Sequence, residues 1–416
     1  MSFRFAHIAD IHIGSWNEPQ LRNLSVEALR VAVDKIISEK VDFVIFAGDI
    51  FNTALPAIDH IKSAVLEFVR LKKAKIPAYY VAGSHDFSPN GKTMLNIIQS
   101  VGLIINVVKG RVSDSLLRLD FVKDEKTGAK ICGMIGKKGM LDKNFYDHLD
   151  LKSLESEKGH KIFVFHTSIS EMMPVDFAGI DSIPISSLPR GFDYYAGGHI
   201  HEVVEFSSDG YRKAVYPGPL FPANFREFEK LGTGGMFFVE IGDDVKTRYE
   251  KIDVCGSVSF KIDCDNKSPN EIYSYVNSLV SSNDVSGKIV LLRFLGTVKQ
   301  GFLSADIDFN KIFSMFYDRS AYYVLRNTAK LSSHEFEEIK TEADKNPAEL
   351  EKEFLNSNIE QLNLPDVSKD DVRVLVSSLI SCLDTEILEG ETKAVFEKRI
   401  VEGFDSAVKD SLKDFY

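Results

Sequence analysis

Paired cysteines are missing from this chain. Cys132, Cys255, Cys264 and Cys382 form no Cys-x-x-Cys pair, which excludes a thiolate-built zinc site and leaves buried, reduced thiols as the expected state. No apolar run approaches the roughly eighteen residues that a membrane span needs, so no membrane association is expected. The opening MSFRFAHIAD has no basic stretch followed by an apolar core and a small-residue cleavage site, so a cytoplasmic location is expected. Internal repeats and low-complexity segments are also absent. What is present is a globular composition: 416 residues, 44% of them hydrophobic, enough for two or three domains with substantial cores.

A net positive charge is lacking too. At −11 the chain should repel a polyanion, unless its charge is unevenly placed. It is: residues 335–416 carry 21 Asp or Glu against 10 Lys or Arg, which leaves 40 of each sign in residues 1–334. A neutral body is compatible with a nucleic-acid track, and the acidic tail points to a protein partner. Arg70, Lys72, Lys73 and Lys75 cluster in the body, at a helix end where cations are favoured for dipole reasons alone.

Runs rich in Val, Ile, Phe and Tyr over 3–9, 42–47 and 77–82 read as buried strands separated by helices near 20–40 and 57–73, which is β-α-β architecture. Further strands are expected at 103–108, 116–122, 130–135, 162–166, 192–196, 203–206, 212–216, 236–241 and 247–253. Beyond residue 254, strands at 257–263, 288–296 and 320–326 with helices near 269–281 and 307–316 suffice for a small α+β module.

The chemistry lies at the strand ends. Asp10-Ile11-His12, Gly48-Asp49, Gly83-Ser84-His85-Asp86, His166 and Gly198-His199-Ile200-His201 each follow an apolar run. Carboxylate and imidazole donors together suit Mn, Fe or Zn. Asp10 and His12, two apart, would face the same way on a continuing strand, and His199 with His201 repeats that spacing. His7 in the first strand reads as a packed histidine.

In this order the motifs resemble the signature of the calcineurin-like metallophosphoesterases. FAHIADIHIG, AGDIF, VAGSHD, FVFHTSI and YYAGGHIHEV, with the second module and a tail ending EGETKAVFEKRIVEGF, are similar over essentially the whole chain to archaeal members of the meiotic-recombination-eleven (SbcD-like) family of double-strand-break repair nucleases. The resemblance implies an α/β two-sheet metallophosphoesterase sandwich over 1–254. It further implies a small α+β capping domain that contacts DNA at 255–334, a charged linker at 335–367 and a C-terminal helical module at 368–416 that docks on an SMC-like ATPase. Carried onto matching positions, Asp10, His12, Asp49 and His201 would hold one Mn2+ and Asp49, Ser84, His166 and His199 a second. His85 would be the general acid, oriented by Asp86.

Two positions depart from the family pattern. Most relatives have Asn at the position of Ser84, and many have His, a group tied to the exonuclease geometry, at that of Asn52. A homodimer is also implied, with Ile58, Ile61, Val65 and Leu66 together with Leu95, Ile98 and Val101 as its candidate surface, unless these pack on the sheet instead.

In the tail, Ser368 can cap a helix striped by Val372, Leu375, Val376, Leu379, Ile380 and Leu383. A second helix is striped by Phe396, Ile400, Phe404, Val408 and Leu412. Such a unit either folds back on the body or docks on helices of another protein. Two other functions remain open: a small-molecule phosphodiesterase of the same superfamily, which has no use for residues 255–416, and a DNA-end-tethering scaffold with weak catalysis.

Overall fold

The computed structural model describes residues 2–88, 93–137, 143–174, 181–333, 368–383 and 393–411, together with Ile359 and Thr385. The expected linker, Ile359 apart, and Leu412 lie outside the described residues. The chain divides into two compact units, one of residues 1–261, 278–293 and 310–327, the other of 262–277, 294–309 and 328–416.

In the first unit, β1 (Phe3–Ile8), α1 (Pro19–Glu39), β2 (Phe43–Ala47), α2 (Ile58–Lys73), β3 (Ala78–Val81), α3 (Met94–Ser100) and β4 (Ile105–Asn106) wind successive parallel strands with helical crossovers. The hairpin β5 (Gly110–Ser113) and β6 (Leu116–Leu119) follows, then β7 (Val122–Lys123), β8 (Lys130–Gly133) and the short helices α4 (Lys143–Asp147) and α5 (Leu151–Ser156). The run continues through β9 (Lys161–His166), β10 (Tyr194–Gly198), β11 (Val203–Ser208), β12 (Tyr211–Pro217), α6 (Phe225–Leu231), β13 (Gly234–Ile241) and β14 (Val245–Ile252). Two six-stranded sheets result, ordered β14-β13-β1-β2-β3-β4 and β11-β12-β10-β9-β8-β7.

Both faces of β1, β2 and β3 in the first sheet are covered, which explains their near-continuous apolar runs. Phe5, Phe43, Ile45, Tyr79 and Val81 point between the sheets to meet Ile131, Ile162, Val164, Tyr194 and Val215. Their neighbours Ala6, Ile8, Val44, Phe46 and Tyr80 point the other way, onto Leu21, Ala28, Leu29, Val33 and Ile36 of α1 and Ala64, Phe68 and Leu71 of α2. Those helical positions recur at offsets of three and four, so one stripe of each helix is buried. Pro19 starts α1, where its missing N–H is no loss.

The expected strands are present with altered extents. The run 103–108 pairs only at Ile105–Asn106, and 116–122 is split between β6 and β7 because the chain changes partner there. The hairpin strand β5 and the short helices α3 to α6 were not expected; each is too short for a periodic signal. Of the residues named for a subunit contact, Leu95 and Ile98 are core, whereas Ile58, Leu66 and Val101 are exposed, alongside Leu55 and Ile97. Arg70 pairs with Asp34 and Glu67, a structural use of that cation.

Beyond β14 the chain forms β15 (Ser257–Asp263), α7 (Pro269–Ser282), β16 (Ile289–Val298), α8 (Phe309–Tyr317) and β17 (Tyr323–Ser333), with sheet order β15-β16-β17. Helices Lys369–Leu383 and Lys393–Ser411 follow and lie against each other. Ser368 Oγ accepts the Asp371 N–H at 3.1 Å, capping the first of them. No helix among the described residues is long and apolar enough to cross a membrane.

His7 is fully buried between the sheets, its Nδ1 3.0 Å from the Tyr194 hydroxyl, and burial pushes its pKa down to about 3. A histidine kept neutral in the fold but protonated near 6.5 when unfolded contributes stability above pH 6.5 that is lost as the pH falls toward about 3. His7→Gln should therefore reduce the acid-side slope of unfolding free energy by about one proton, measured by urea titration across that interval. An unchanged slope would show that His7 does not carry this part of the acid sensitivity.

Candidate metal centre

The parallel strands β1, β2 and β3 of one sheet and β9 and β10 of the other end at the same edge, and the residues just beyond them converge. The loops are locked to one another through the backbone: Asp10 N–H donates to Gly48 O at 3.1 Å, and His12 N–H to Asp49 O at 2.9 Å. Asp10, His12, Asp49 and His199 all have left-handed backbone, with φ of 52°, 47°, 51° and 90°. This is a costly conformation for side chains with a Cβ, and it gathers where function needs it. It also corrects the expected Asp-x-His geometry. β1 ends at Ile8 and β10 at Gly198, so these pairs are brought together by left-handed turns and not by strand alternation.

Glycine is required where these loops cross. A Cβ on Gly48, at φ 92°, would fall on the His166 ring, and one on Gly83 would fall on the Asp49 carboxylate and its backbone N–H. Asp86 braces the same crossing, its buried carboxylate accepting the N–H groups of Ile50 at 3.1 Å, Phe51 at 3.0 Å and Gly83 at 3.2 Å. Contrary to the expectation that Asp86 orients His85, its bonds are to these backbone groups. The His85 ring is instead held through Nδ1 by the Asn52 carbonyl at 2.9 Å.

Among the described residues, three groups of ligand atoms gather within 4.8 Å: Asp10, His12 and His201; His12, Asp49 and His85; and Asp10, Asp49 and His166. His199 falls in none of them; its N–H donates to both oxygens of Asp10 at 3.1 Å, and its ring packs on that of His166. Ser84 Oγ lies 3.4 Å from Asp49 Oδ2 and donates to it. His166 Nδ1 is tied to Ala47 O at 2.8 Å, and His201 Nδ1 to Glu227 Oε1 at 2.8 Å, which leaves Nε2 of each ring facing the carboxylates. Glu227 was missed in the sequence. The Asn-x-x-Glu spacing from Asn224 that starts α6 is its only local trace.

The electrostatics are those of a site built around positive charge. Burial lifts the Asp10 carboxyl above the usual carboxylate range, against the His201 and His166 imidazoles. Burial acts on Asp49 in the same sense, but the His166 and His12 rings outweigh it and hold Asp49 well below that range. Burial would lower His166 and His201, yet Asp49 raises the first to about 10, and Glu227 with Asp10 raises the second to about 9. His12 is pushed down to about 3 by burial and His201, and His199 to about 4 by burial and His166.

A divalent cation fits this donor set. Nε2 of His166 lies 3.1 Å from Asp49 Oδ2 without hydrogen-bond geometry, and Nε2 of His12 lies 3.1 Å from Nε2 of His201. Ring nitrogens and carboxylate oxygens crowded together without water in this way are held by protons that a cation would displace, each ring then offering its lone pair as a ligand. A cavity of about 300 Å³ adjoins the centre, lined in part by Ser168, His199, His201, Arg226, Glu227 and Lys230.

Residues 3–203 match the family model described as calcineurin-like phosphoesterase. The DNA double-strand break repair protein Mre11 of Archaeoglobus fulgidus is 30% identical over 55% of this chain and 52% of its own length. The protein of that name from Methanococcus maripaludis is 27% identical over 69% of this chain and 76% of its own. Residues 3–203 are thus similar to the calcineurin-like phosphoesterases, and the chain is similar to archaeal Mre11 proteins. Against the first of these relatives it spans about half the length. A solved dimetal phosphatase from Danio rerio aligns over 60% of this chain and 96% of its own at 13% identity, with a TM-score of 0.38. The matched stretch contains Asp10, His12, Asp49, His166 and His201, the residues that converge at the strand ends.

Gly83→Ala removes no side chain of this centre and tests only the crossing. It should cost about 1–3 kcal/mol of stability and displace Asp49, so that divalent-metal affinity measured by calorimetry falls. Wild-type affinity and melting temperature together would mean that the crossing tolerates a methyl group.

Proposed function

We propose that the protein is a Mn2+-dependent DNA nuclease, acting as a 3′–5′ exonuclease and single-strand endonuclease, that processes double-strand breaks with an SMC-like ATPase in the cytoplasm. The observation that carries this reading is the convergence of Asp10, His12, Asp49, His166 and His201 at the strand ends of a chain similar to archaeal Mre11 proteins. Asp10, His12, Asp49 and His201 would hold one ion and Asp49, Ser84, His166 and His199 the other, with Asp49 shared. When bound, such a pair of divalent ions supplies polarisation of a phosphodiester and activation of the attacking water.

The remaining roles belong to the chain itself. Asp49 supports a shared role because its Oδ2 lies 3.5 Å from His12 Nε2 and 3.1 Å from His166 Nε2. His85 is the proton donor to the leaving 3′ oxygen. Its ring is fixed through Nδ1 by the Asn52 carbonyl and stands edge-on to His12 at 4.8 Å, which leaves Nε2 to carry the proton. Ser84 is the weakest of the donors, since its hydroxyl is short and is engaged with Asp49.

Residues 1–254 form the nuclease domain in this reading, 255–334 a capping domain that contacts DNA, and 335–367 a linker to the docking module of 368–416. The module's apolar stripes are incompletely covered: Val372 is buried, Leu375, Val376, Leu379, Ile380, Phe396, Ile400, Phe404 and Val408 are half-buried, and Leu383 is 68% exposed. A homodimer would use Leu55, Ile58, Leu66, Ile97 and Val101, large apolar side chains exposed on and beside α2 and α3.

The decisive assay sets labelled duplex DNA against a chromogenic phosphodiester, with and without Mn2+. Metal-dependent cleavage of DNA is expected, and hydrolysis of the small diester alone would replace the nuclease by a small-molecule enzyme. Within that assay, Asp49→Ala should lose metal binding and cleavage together. His85→Ala should keep both ions and DNA affinity but turn over on the order of a hundredfold more slowly. Near-normal turnover would remove the general acid. Truncation after residue 365 should leave Mn2+-dependent cleavage intact and abolish co-purification of the ATPase, as should Leu379→Glu combined with Phe396→Glu. Equal recovery of the ATPase with full-length and truncated protein would return the tail to intramolecular packing.

A further inference from the structure

Among the imidazoles of the centre, His201 is backed differently from the others. Nδ1 of His166 and of His85 rests on a neutral backbone carbonyl, of Ala47 and Asn52 respectively. Nδ1 of His201 instead donates to a carboxylate, Glu227 Oε1, at 2.8 Å. That carboxylate is itself fixed: its Oε2 accepts the Ala223 N–H at 2.7 Å, and Oε1 also accepts from the Asn224 side-chain amide. Asn224 caps α6 by accepting the Glu227 N–H at 3.0 Å, so the first turn of this short helix is closed around the glutamate. Lys230 of the same helix bonds to Glu202, the residue after His201, at 2.6 Å, tying α6 to the ligand loop a second time. The side chains of His201 and Glu227 are 25% and 12% exposed, so solvent screens their bond only in part.

We propose that Glu227 is a positioning residue for His201, holding its imidazole with Nε2 toward Asp10 and His12 and making it a stronger donor, so that one of the two metal positions depends on this glutamate. The proposal rests on the two-metal reading above. A carboxylate that accepts the far N–H of a metal-bound imidazole fixes the tautomer and ring orientation and raises ligand basicity; losing such a partner costs about 10- to 100-fold in metal affinity. A backbone carbonyl fixes orientation with no formal charge, so the positions served by His166 and His201 should differ in their dependence on side-chain partners.

The test is calorimetric titration of the metal-free full chain with Mn2+. In Glu227→Ala one of two Mn2+ equivalents should weaken about 10- to 100-fold and the other should hold. Glu227→Gln, which keeps an acceptor but loses the charge, should fall between Ala and wild type and covers the case in which Ala fails to fold. Asn224→Ala removes the helix cap and the amide contact to Oε1 but keeps the Glu227 carboxylate with its bonds to the Ala223 N–H and His201, so it should lower the melting temperature while changing Mn2+ affinity less than about threefold. Wild-type affinity in Glu227→Ala or in Glu227→Gln overturns the proposal, as does a loss in Asn224→Ala equal to that in Glu227→Ala, which would reduce Glu227 to helix capping. Failure of the wild-type chain itself to bind two equivalents would instead count against the two-metal reading.

Discussion

Asp10 and Asp49 sit at 0% and 2% exposure between the ends of two sheets, where water cannot stabilise their charge. What compensates them comes from both sheets. Asp10 accepts the His199 N–H from the second sheet, and Asp49 accepts the His85 N–H at 2.8 Å from the first while facing the His166 ring of the second. The edge of the sandwich is therefore held by charge that is only partly satisfied by protein groups. Two imidazoles are raised well above their ordinary pKa by these carboxylates and by Glu227, and a cation arriving there would take over the work of their protons.

That arrangement is costly to build. Four of the converging residues occupy left-handed backbone, at about 1–3 kcal/mol each by general experience with such strain. Two glycine crossings allow no side chain at all. The cost is offset where the chemistry is not. Phe5 stacks on Phe43 at 5.0 Å between the sheets, Tyr79 meets Phe43 edge-on at 5.6 Å, and the apolar faces of α1 and α2 seal the opposite side. Rigid strands thereby present strained loops at a fixed edge, which is the division of labour expected of a catalytic scaffold.

The helix that carries Glu227 shows how the site reaches beyond its converging loops. It is only seven residues long, yet its first turn holds a carboxylate against His201 while its last anchors Lys230 to Glu202. The adjoining cavity lies along this helix and mixes acidic with basic side chains, in keeping with the neutral charge of residues 1–334.

The sequence by itself determined the alternating strands and helices of the first half, the both-faces-buried first sheet, the capping of the tail helix by Ser368, and which side chains stand at strand ends. These follow from local periodicity and composition, which need no knowledge of what lies across the sheet. Tertiary structure alone decided the rest. Asp10 and His12 meet through left-handed turns, because the loop after β1 is tied to the loop after β2. Asp86 braces backbone N–H groups from a loop over thirty residues away, and His85 is held by the Asn52 carbonyl. Leu95 and Ile98 turned inward while Ile97 and Val101 stayed exposed, a matter of one helix's rotation. Glu227, in a helix too short to announce itself, bonds a histidine 26 positions earlier. Spacing along a chain fixes which faces residues share within one element. It cannot fix which elements meet, because that depends on burial summed over both sheets at once.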